Sequence, residues 1–260
     1  MGPADGGLAA ELLDVAVEAA RAAGAELLAR WRRPLEVGTK STPTDPVTEA
    51  DLAAERAIRE VLGRRRPQDS ILGEEGGETG QGDMRWVVDP LDGTVNFLYG
   101  LPTFAVSVAV EDTDGAIAAV VLDPVADELF SATRAGAALG NGEALAASGC
   151  ESLERALVGT GFGYDADVRA AQAQVVANVI PLARDIRRAG AAALDMCWCA
   201  AGRLDAYYER GVKAWDIAAG TLICERVGLV VRTLEPRGAL PPGVVVAPPE
   251  FIDRLNELVA

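Results

Sequence analysis

Three strand-like stretches follow one another between residues 104 and 133, and they constrain the fold more than any other feature of the chain. They read FAVSVAVED, AIAAVVLDP and DELFSAT, and each is apolar throughout or alternates with a period of two. Turn-forming pairs such as Asp114-Gly115 and Asn141-Gly142 end these stretches. Short apolar strands joined by such turns predict an antiparallel meander.

The residues before the meander predict two helices and two further strands. Apolar residues recur at helical spacing over residues 8–31, and Thr48 with Asp51 resembles a capping box that opens a second helix. The stretches SILGEE and RWVVDP then have the composition of strands. The Gly-rich residues 76–82 between them have the composition of a mobile loop.

Beyond about Gly142 the pattern changes to short strands that alternate with helices, which is typical of an α/β arrangement. The strands read ALVGTGF, DIRRAG, LDAYYE and VVVAP, and the helices cover residues 167–180, 191–201, 214–227 and 248–259. No segment is long enough to act as a linker. We therefore expect an N-terminal α+β lobe over residues 1–142 and a C-terminal α/β lobe over residues 143–260, which share one core as a single structural unit.

The composition excludes several classes of function. The 260 residues include 24 Lys and Arg against 39 Asp and Glu, and the net charge of −15 disfavours binding to nucleic acid or to an anionic membrane. The chain contains no histidine, which rules out a Ser-His-Asp triad, a Cys-His nucleophile, an HExxH zinc site and an imidazole general base. Acid-base chemistry near neutral pH must therefore come from carboxylates, Lys, Tyr, Cys or a metal-bound water.

The cysteines and the N-terminal residues predict a cytoplasmic protein. Cys150, Cys197, Cys199 and Cys224 form no CxxC pair, and three of them lie in apolar stretches, which is typical of buried free thiols in a reducing compartment. The first residues lack the basic region of a secretory leader. No apolar run approaches the roughly 18 residues that a membrane span needs.

Acidic residues stand at four places where carboxylates are unusual. They are Glu74-Glu75 after the strand SIL, Asp89 and Asp92 in VVDPLDGTVNF, Asp216 in AWDIAAG, and Asp51 in VTEADL. Taken singly, each has an ordinary explanation as a helix cap, a turn or an exposed strand end. Their combination is harder to explain in that way.

The segment WVVDPLDGTVNF carries most of the predicted chemistry. A strand delivers Asp89 at its carboxyl end, Pro90 stiffens the turn, and Asp92 comes round beside Asp89. Two carboxylates that face one point repel each other unless a cation lies between them, and an all-oxygen ligand set favours Mg²⁺ or Mn²⁺. Gly93-Thr94 opens a helix whose free N–H groups can hold a phosphate. The segment therefore predicts metal-dependent phosphoryl chemistry.

One rival interpretation of this segment is a phosphatase of the haloacid dehalogenase type. Those enzymes carry DxDGT after a buried strand, with the first Asp as the nucleophile. Here the spacing is DxxDGT, the motif lies near residue 90 rather than at the start, and no GDxxxD-like partner follows. The spacing therefore disfavours this rival.

The chain resembles the inositol monophosphatase family of Mg²⁺-dependent, lithium-sensitive phosphatases, and within it the bacterial inositol-1-monophosphatase subgroup. The similarity runs from about Thr39 to Val246, with motifs in the family order: KSTPTDPVTEAD, LGEE, WVVDPLDGTVNF, GAAALDMC, DAYYE and AWDIAAG. The resemblance implies a mixed α/β (α+β) fold in the form of a five-layer αβαβα sandwich. It also implies two to three bound Mg²⁺ ions, with Mn²⁺ as a substitute, and a homodimer.

The resemblance also implies roles for individual residues. The implied metal ligands are Glu74, Asp89, the backbone carbonyl of Leu91, Asp92 and Asp216. The implied catalytic residues are Glu74, Thr94 and Asp51. Of these, Thr94 and Asp51 orient and help to deprotonate an attacking water, and Glu74 holds the first metal and orders a third through water. The implied substrate-binding residues are Asp92, Gly93, Thr94, Gly190, Ala191, Ala192, Glu209 and Asp216.

Four cations near these motifs have open roles. Lys40 could act as a lid over one of the metal positions. Arg187 and Arg188 are candidates for phosphate binding, but a structural or interface role explains them equally well. Lys213 could compete weakly with a metal or help to attract phosphate.

The resemblance implies a Mg²⁺-dependent phosphomonoesterase that hydrolyses inositol-1-phosphate or a similar small polyol phosphate by in-line attack of a metal-activated water. Two alternatives remain open. The same chemistry could act on fructose-1,6-bisphosphate, histidinol phosphate or a 3′-phosphoadenosine nucleotide. The chain could instead be a regulatory protein that binds partners such as the transcription machinery, with incidental catalysis.

Overall fold

Helices and strands divide the chain much as the sequence predicts. The computed structural model describes residues 3–34, 37–39 and 46–260. The helices are α1 (Pro3–Arg30), α2 (Glu49–Arg65), α3 (Thr94–Leu98), α4 (Ala166–Val179), α5 (Ala192–Ala200), α6 (Ala214–Arg226) and α7 (Ile252–Val259). The strands are β1 (Val37–Thr39), β2 (Pro46–Thr48), β3 (Ser70–Gly73), β4 (Gly77–Thr79), β5 (Arg85–Asp92), β6 (Ala105–Asp112), β7 (Gly115–Asp123), β8 (Glu128–Thr133), β9 (Leu139–Gly140), β10 (Glu143–Ala144), β11 (Leu157–Thr160), β12 (Asp185–Arg187), β13 (Ala206–Arg210), β14 (Val230–Leu234) and β15 (Gly243–Ala247).

These strands form two large sheets, beside the small pair β1-β2. The larger sheet has eight strands in the order β10-β9-β8-β7-β6-β5-β3-β4, and the smaller has five in the order β12-β11-β13-β15-β14. Strands β6, β7 and β8 pair antiparallel in sequence, with Val108 opposite Val120 and Val120 opposite Ser131. The predicted meander is therefore confirmed.

Helices and sheets stack in five layers. The helices α1 and α2 pack on one face of the larger sheet, and α5 and α6 fill the space between the two sheets. The helices α4 and α7 cover the outer face of the smaller sheet. This arrangement is the αβαβα sandwich that the resemblance implies.

Strand β6 shows how the sequence sets these layers. Val106, Val108 and Val110 pack in the core that contains α1, whereas Ala105 and Ala109 pack on the other face with α5 and α6. Successive side chains of a strand point to opposite faces of its sheet. A strand that is buried on both faces is therefore apolar throughout, and the alanines leave room for the inner helices.

Several segments differ from their predictions, and the strands β1, β2, β9 and β10 are not predicted at all. Residues 77–79 form β4, an exposed edge strand, where the Gly-rich composition predicts a mobile loop. Antiparallel pairing with β3, with Ile71 opposite Thr79, accounts for the difference, because such pairing uses backbone groups that glycine retains. Strand β14 is not predicted, since its first four residues are half-buried or exposed and include Arg232 and Thr233, which obscure the strand pattern.

The predicted lobe boundary lies at the edge of the larger sheet. Gly142 is in the turn between β9 and β10, and the first strand of the smaller sheet, β11, begins at Leu157. The division into two lobes stays a prediction. Among the described helices, none combines the length and the apolar character that crossing a bilayer requires.

The start of α2 makes a measurable contribution to stability. The Thr48 hydroxyl accepts hydrogen bonds from the backbone N–H groups of Ala50 and Asp51 at 3.1 and 3.4 Å. We expect Thr48→Ala to lower the free energy of unfolding by about 1–2 kcal/mol, because both N–H groups lose this acceptor at a buried helix start. Chemical denaturation measures the loss. Thr48→Ser keeps the hydroxyl and should lose much less, and equal losses in the two variants would contradict the capping role.

Candidate active site

The end of β5 places two buried carboxyls beside each other. Asp89 and Asp92 are 1% and 9% exposed, and the pairing of β5 with β6 is irregular between them. Gly93 then adopts a left-handed backbone conformation, with φ of 91°, and caps α3, which begins at Thr94. A Cβ at Gly93 would lie 3.0 Å from the carbonyl oxygen of Thr103, so both the backbone angle and the available space require glycine.

Asp216 joins this pair from the second half of the chain. It lies in the first turn of α6, where it accepts the backbone N–H of Lys213 at 2.5 Å, and its charge raises the pKa of Asp89. Asp92 accepts the backbone N–H of Ala193 at 2.7 Å, at the start of α5. The elements β5 and α6 therefore bring three carboxyls to one cavity.

Glu74 follows β3 and lies on the wall of the same cavity. The turn that carries it is held by Glu55 of α2, whose carboxylate accepts the backbone N–H groups of Glu75 and Gly76 at 2.7 and 2.9 Å. Glu55 also accepts Nε–H of Arg59 at 2.7 Å and is only 3% exposed. The motifs do not reveal this positioning role. Its one signal in the sequence is an acidic residue at a buried position of the α2 helical repeat.

The carboxyls share a cavity of about 470 Å³ with most of the other predicted site residues. A volume of this order suits a small organic ligand. The predicted site residues on its wall are Glu74, Asp89, Leu91, Asp92, Gly93, Thr94, Gly190, Ala192, Glu209 and Asp216. Asp51 and Ala191 are buried behind this wall, at 0% and 1% exposure. The fold therefore brings together residues that lie more than 140 positions apart in the chain.

Charge repulsion among the carboxyls is strong. Burial raises the pKa of Asp89 and of Asp92 well above the usual range, and the nearby charges of Glu74 and Asp216 raise the pKa of Asp89 further. Asp216 is half-buried, and this burial raises its pKa to about 6. No ion pair of the described residues reaches Asp89, Asp92 or Asp216. A bound divalent cation would relieve this repulsion.

The available donors fit a hard divalent cation. They are carboxylate oxygens and the carbonyl of Leu91, and Mg²⁺ binds through one or two carboxylates while it retains several waters. In the part of the chain that the structure describes, no group of three acidic or thiol side chains is arranged so that it alone could hold a metal ion. An open arrangement agrees with Mg²⁺, because waters and substrate phosphate oxygens complete its coordination. The residues present therefore fit the metal that the resemblance implies.

A hydrogen-bonded chain behind the cavity holds the hydroxyl of Thr94. This hydroxyl lies 3.1 Å from Oδ1 of Asp51 and 3.1 Å from the carbonyl oxygen of Leu91. Oδ2 of Asp51 accepts the N–H and the hydroxyl of Thr48 at 2.8 and 2.6 Å. Because Asp51 or Leu91 accepts the Thr94 proton, the lone pairs of the Thr94 oxygen remain available to a water in the cavity.

Another wall of the cavity carries Glu209, near the end of β13. Its Oε2 accepts the hydroxyl of Tyr207 at 2.5 Å, since residues two apart on a strand share a face. A Cβ at Gly161 would lie within 2.3 Å of both carboxylate oxygens, so this glycine leaves the space that the carboxylate occupies. Burial raises the pKa of Glu209, while Tyr207 and Arg188 oppose the rise. Oε1 remains available to accept a hydrogen bond from a substrate hydroxyl.

Two buried ionisable residues near this wall, Arg210 and Asp195, are not among the predicted site residues. Arg210 is 3% exposed and donates to the backbone carbonyls of Glu235, Pro241 and Val259 at 2.7–3.1 Å, which joins the wall to the end of α7. Neither carboxyl oxygen of Asp195 has a hydrogen-bond partner in the described residues. Burial, and then the charge of Glu209, raise the pKa of Asp195 well above its usual range. The site thus favours the neutral form of Asp195.

The cations with open roles occupy different places. Lys213 and Arg188 line the cavity, whereas Arg187 does not. Arg187 instead forms an exposed ion pair with Asp185 at 2.6 Å. Lys40 lies outside the described residues.

The raised pKa values predict an unusual pH dependence of stability. An acid whose pKa is about 6 in the folded state and near 3.9 in the unfolded state holds its proton more tightly when folded. Its contribution is complete below about pH 4 and is lost as the pH rises through 6. For metal-free protein in chelator we expect the melting temperature to fall between pH 5 and pH 8, with about 1 kcal/mol of unfolding free energy lost through Asp216 alone.

Thermal melting at several pH values tests this expectation. Asp216→Asn removes the titrating group and should flatten the trend. Saturating Mg²⁺ should also flatten or reverse it, because the cation binds the ionised carboxylates. A melting temperature that rises from pH 5 to pH 8 in chelator would contradict the assignment.

Comparisons with known proteins identify the family. The model of the inositol monophosphatase family matches residues 8–259. The inositol-1-monophosphatase SuhB of Mycobacterium tuberculosis is 47% identical over 230 residues, which cover 84% of this chain and 79% of that protein. The Nus factor SuhB of Pseudomonas aeruginosa is 45% identical over 233 residues, which cover 85% and 84%. The crystal structure of the extragenic suppressor protein suhB from Bartonella henselae matches with a TM-score of 0.88 at 34% identity, covering 95% of this chain and 98% of that one.

Together with the fold and the acidic cavity, these matches define the class of protein: the chain is a phosphoric monoester hydrolase of mixed α/β architecture. It belongs to the inositol monophosphatase family. The family resemblance, the five-layer fold and the enzyme class that the sequence indicates are therefore confirmed. Members of this family generally depend on a metal, which agrees with the fit of the carboxylate cavity to a hard cation.

Proposed function

We propose that the chain is a Mg²⁺-dependent phosphomonoesterase that hydrolyses inositol-1-phosphate or a similar small polyol phosphate. The observation that carries the proposal is the single cavity in which the mutually repelling carboxyls of Asp89, Asp92 and Asp216 meet the oriented hydroxyl of Thr94. The name of the Mycobacterium tuberculosis relative, inositol-1-monophosphatase, supports the substrate class.

The residues that would hold two to three Mg²⁺ ions, with Mn²⁺ as a substitute, are Glu74, Asp89, the Leu91 carbonyl, Asp92 and Asp216. When bound, the metal supplies a lowered pKa for a coordinated water and neutralises charge on the phosphate and on the leaving oxygen. These ligands all bind through oxygen, which supports the choice of Mg²⁺. Glu55 would keep Glu74 in place through the turn that it holds.

The chain's own groups would position the reacting molecules. The Thr94 oxygen would accept a hydrogen bond from the attacking water and then its proton, while the Thr94 hydroxyl proton passes to the carboxylate of Asp51, to which it is already hydrogen-bonded. Glu74 would be a further catalytic carboxylate. Backbone N–H groups of Gly93 and Thr94 would donate to the phosphate oxygens. Attack is then in line at phosphorus, without a phosphoenzyme.

The polyol would lie towards the wall that carries Glu209. Oε1 of Glu209 would accept hydrogen bonds from substrate hydroxyls. Gly190 and Ala192 would contact the polyol from the cavity wall, and Ala191, buried behind them, would hold that segment in place. A homodimer and inhibition by lithium belong to the same proposal and rest on the family resemblance. A cytoplasmic location also belongs to it and rests on the free cysteines.

Phosphate release by the purified chain tests the proposed function. The substrates are inositol-1-phosphate, fructose-1,6-bisphosphate, histidinol phosphate and a 3′-phosphoadenosine nucleotide, each with Mg²⁺ and with chelator. We expect Mg²⁺-dependent turnover, fastest with inositol-1-phosphate and reduced by lithium. Turnover that is equal in chelator would exclude the metal mechanism, and faster turnover of another substrate would reassign the substrate but not the chemistry.

A regulatory role is the second candidate function. The observation that favours it is the name of the Pseudomonas aeruginosa relative, a Nus factor. The same assay separates the two candidates, because a protein whose main role is to bind a regulatory partner need not turn over any of the four phosphates.

A further inference from the structure

Arg187 and Arg188 are neighbours in the chain, but they lie in different surroundings. Arg187 is the last residue of β12, and its guanidinium donates to Asp185 on the same strand at 2.6 Å. Arg188 follows it and lines the cavity. Since successive side chains of an extended segment point in opposite directions, only Arg188 can act on a bound substrate.

The guanidinium of Arg188 packs directly on Gly190. A Cβ at Gly190 would lie 2.3 Å from Nη1 and 3.2 Å from Cζ of Arg188, and Gly190 has a φ of 95°. In the described part of the chain Arg188 is exposed and makes no ion pair and no side-chain hydrogen bond. The absence of a side chain at Gly190 therefore makes room for a cation whose N–H groups are open to a ligand.

Arg188 and Glu209 carry opposite charges and line the same cavity. The charge of Arg188 lowers the pKa of Glu209, so the two groups lie close enough to interact. No ion pair within 4.0 Å joins them among the described residues. Tyr207 occupies only Oε2 of Glu209. An N–H donor and a carboxylate oxygen of opposite charge thus both remain open to the same ligand.

We propose that Arg188 and Glu209 form a donor–acceptor pair that selects substrates whose polyol is uncharged where it meets the pair. The pair disfavours substrates that carry a second anionic group there. A hydroxyl can accept from Arg188 and donate to Glu209 at the same time. A second phosphate would gain from Arg188 but would be repelled by Glu209, and such repulsion is a strong source of specificity. This inference rests on the proposed function of the cavity as a phosphomonoesterase site.

Competition between two matched ligands tests the pair. Fructose-1-phosphate and fructose-1,6-bisphosphate differ only in the second phosphate, and each is used as a competitor of inositol-1-phosphate, or of the best substrate of the panel. The released alcohol is measured, so that hydrolysis of the competitor does not interfere. The quantity of interest is the inhibition constant of the bisphosphate divided by that of the monophosphate, for the wild type and for each variant.

Arg188→Gln and Glu209→Gln should move this ratio in opposite directions. Without Arg188 the unbalanced carboxylate should raise the ratio by about tenfold, and without the Glu209 charge the unbalanced guanidinium should lower it by about tenfold. Arg188→Lys keeps the charge and should stay within about threefold of the wild type. Arg187→Gln is the matched control and should leave the ratio unchanged.

Shifts in the same direction, or an equal shift in Arg187→Gln, would overturn the inference while the proposed function stands. Arg188 is exposed, so the Arg188 variants decide the matter even if Glu209→Gln fails to fold, and an unchanged ratio in Arg188→Gln would overturn it. A wild type that releases phosphate from no ester in Mg²⁺ would overturn the proposed function and this inference together.

Discussion

Replacement of Asp92 by Asn should reduce Mg²⁺-dependent phosphate release by about 10³-fold or more, because a metal site that loses one anionic ligand loses both affinity and charge stabilisation. The side chain is buried, and its Oδ2 accepts the backbone N–H of Ala193 at 2.7 Å. The amide oxygen of Asn can keep that hydrogen bond, so the fold should persist. Steady-state phosphate release at saturating substrate and Mg²⁺ measures the loss.

Asp123 offers a matched control for this prediction. It is also a buried aspartate of the larger sheet, 5% exposed, with a pKa that burial raises. It accepts the backbone N–H groups of Val125 and Ala126, both at 2.9 Å, and does not line the cavity. Asp123→Asn should leave turnover within about threefold of the wild type, in keeping with a change remote from the reacting groups. Comparable losses in the two variants would show that general destabilisation, not the cavity, explains the effect.

Replacement of Thr94 by Ala should lower kcat by about 10²-fold, in the range of a lost general acid-base group. Asp51, which is fully buried, orients the Thr94 hydroxyl on the wall of the cavity. Because the hydroxyl acts on the attacking water rather than on the substrate, KM should change little. Steady-state kinetics with inositol-1-phosphate gives both constants.

Thr94→Ser is the control for this variant, since it keeps the hydroxyl and both acceptors. We expect Thr94→Ser to retain most of the activity. A rise in KM with unchanged kcat in Thr94→Ala would instead assign Thr94 to substrate binding, and an equal loss in both variants would assign the effect to the methyl group.

The layered fold could be predicted from the sequence because its signals are local. The runs that became β6 and β7 are apolar on both faces, and the structure buries both faces between helices. The edge strand β4 could not be predicted, since its order comes from pairing with β3 and not from its own Gly-rich residues. Local pattern thus predicts elements that side-chain burial stabilises, and it fails where backbone pairing alone decides.

The candidate site also has a part that could be predicted from the sequence and a part that could not. Asp89 and Asp92 share one short segment, so a strand, a turn and a helix start were enough to predict that they lie together. Glu55 and Arg210 support the site through contacts with backbone groups 20 to 49 residues away. No local motif encodes such contacts, because any residue type can supply a backbone N–H or C=O. Their roles appear only once the chain is folded.

Thermal melting of the purified chain over a Mg²⁺ titration tests the central claim, that the carboxyls of this cavity form the metal site. The melting temperature of the wild type and of Asp123→Asn should rise with Mg²⁺, because a cation that binds only the folded state stabilises it by about 2.7 kcal/mol at 100 times its Kd. In Asp92→Asn the rise should be much smaller. Equal rises in Asp92→Asn and the wild type would contradict the assignment of the metal site.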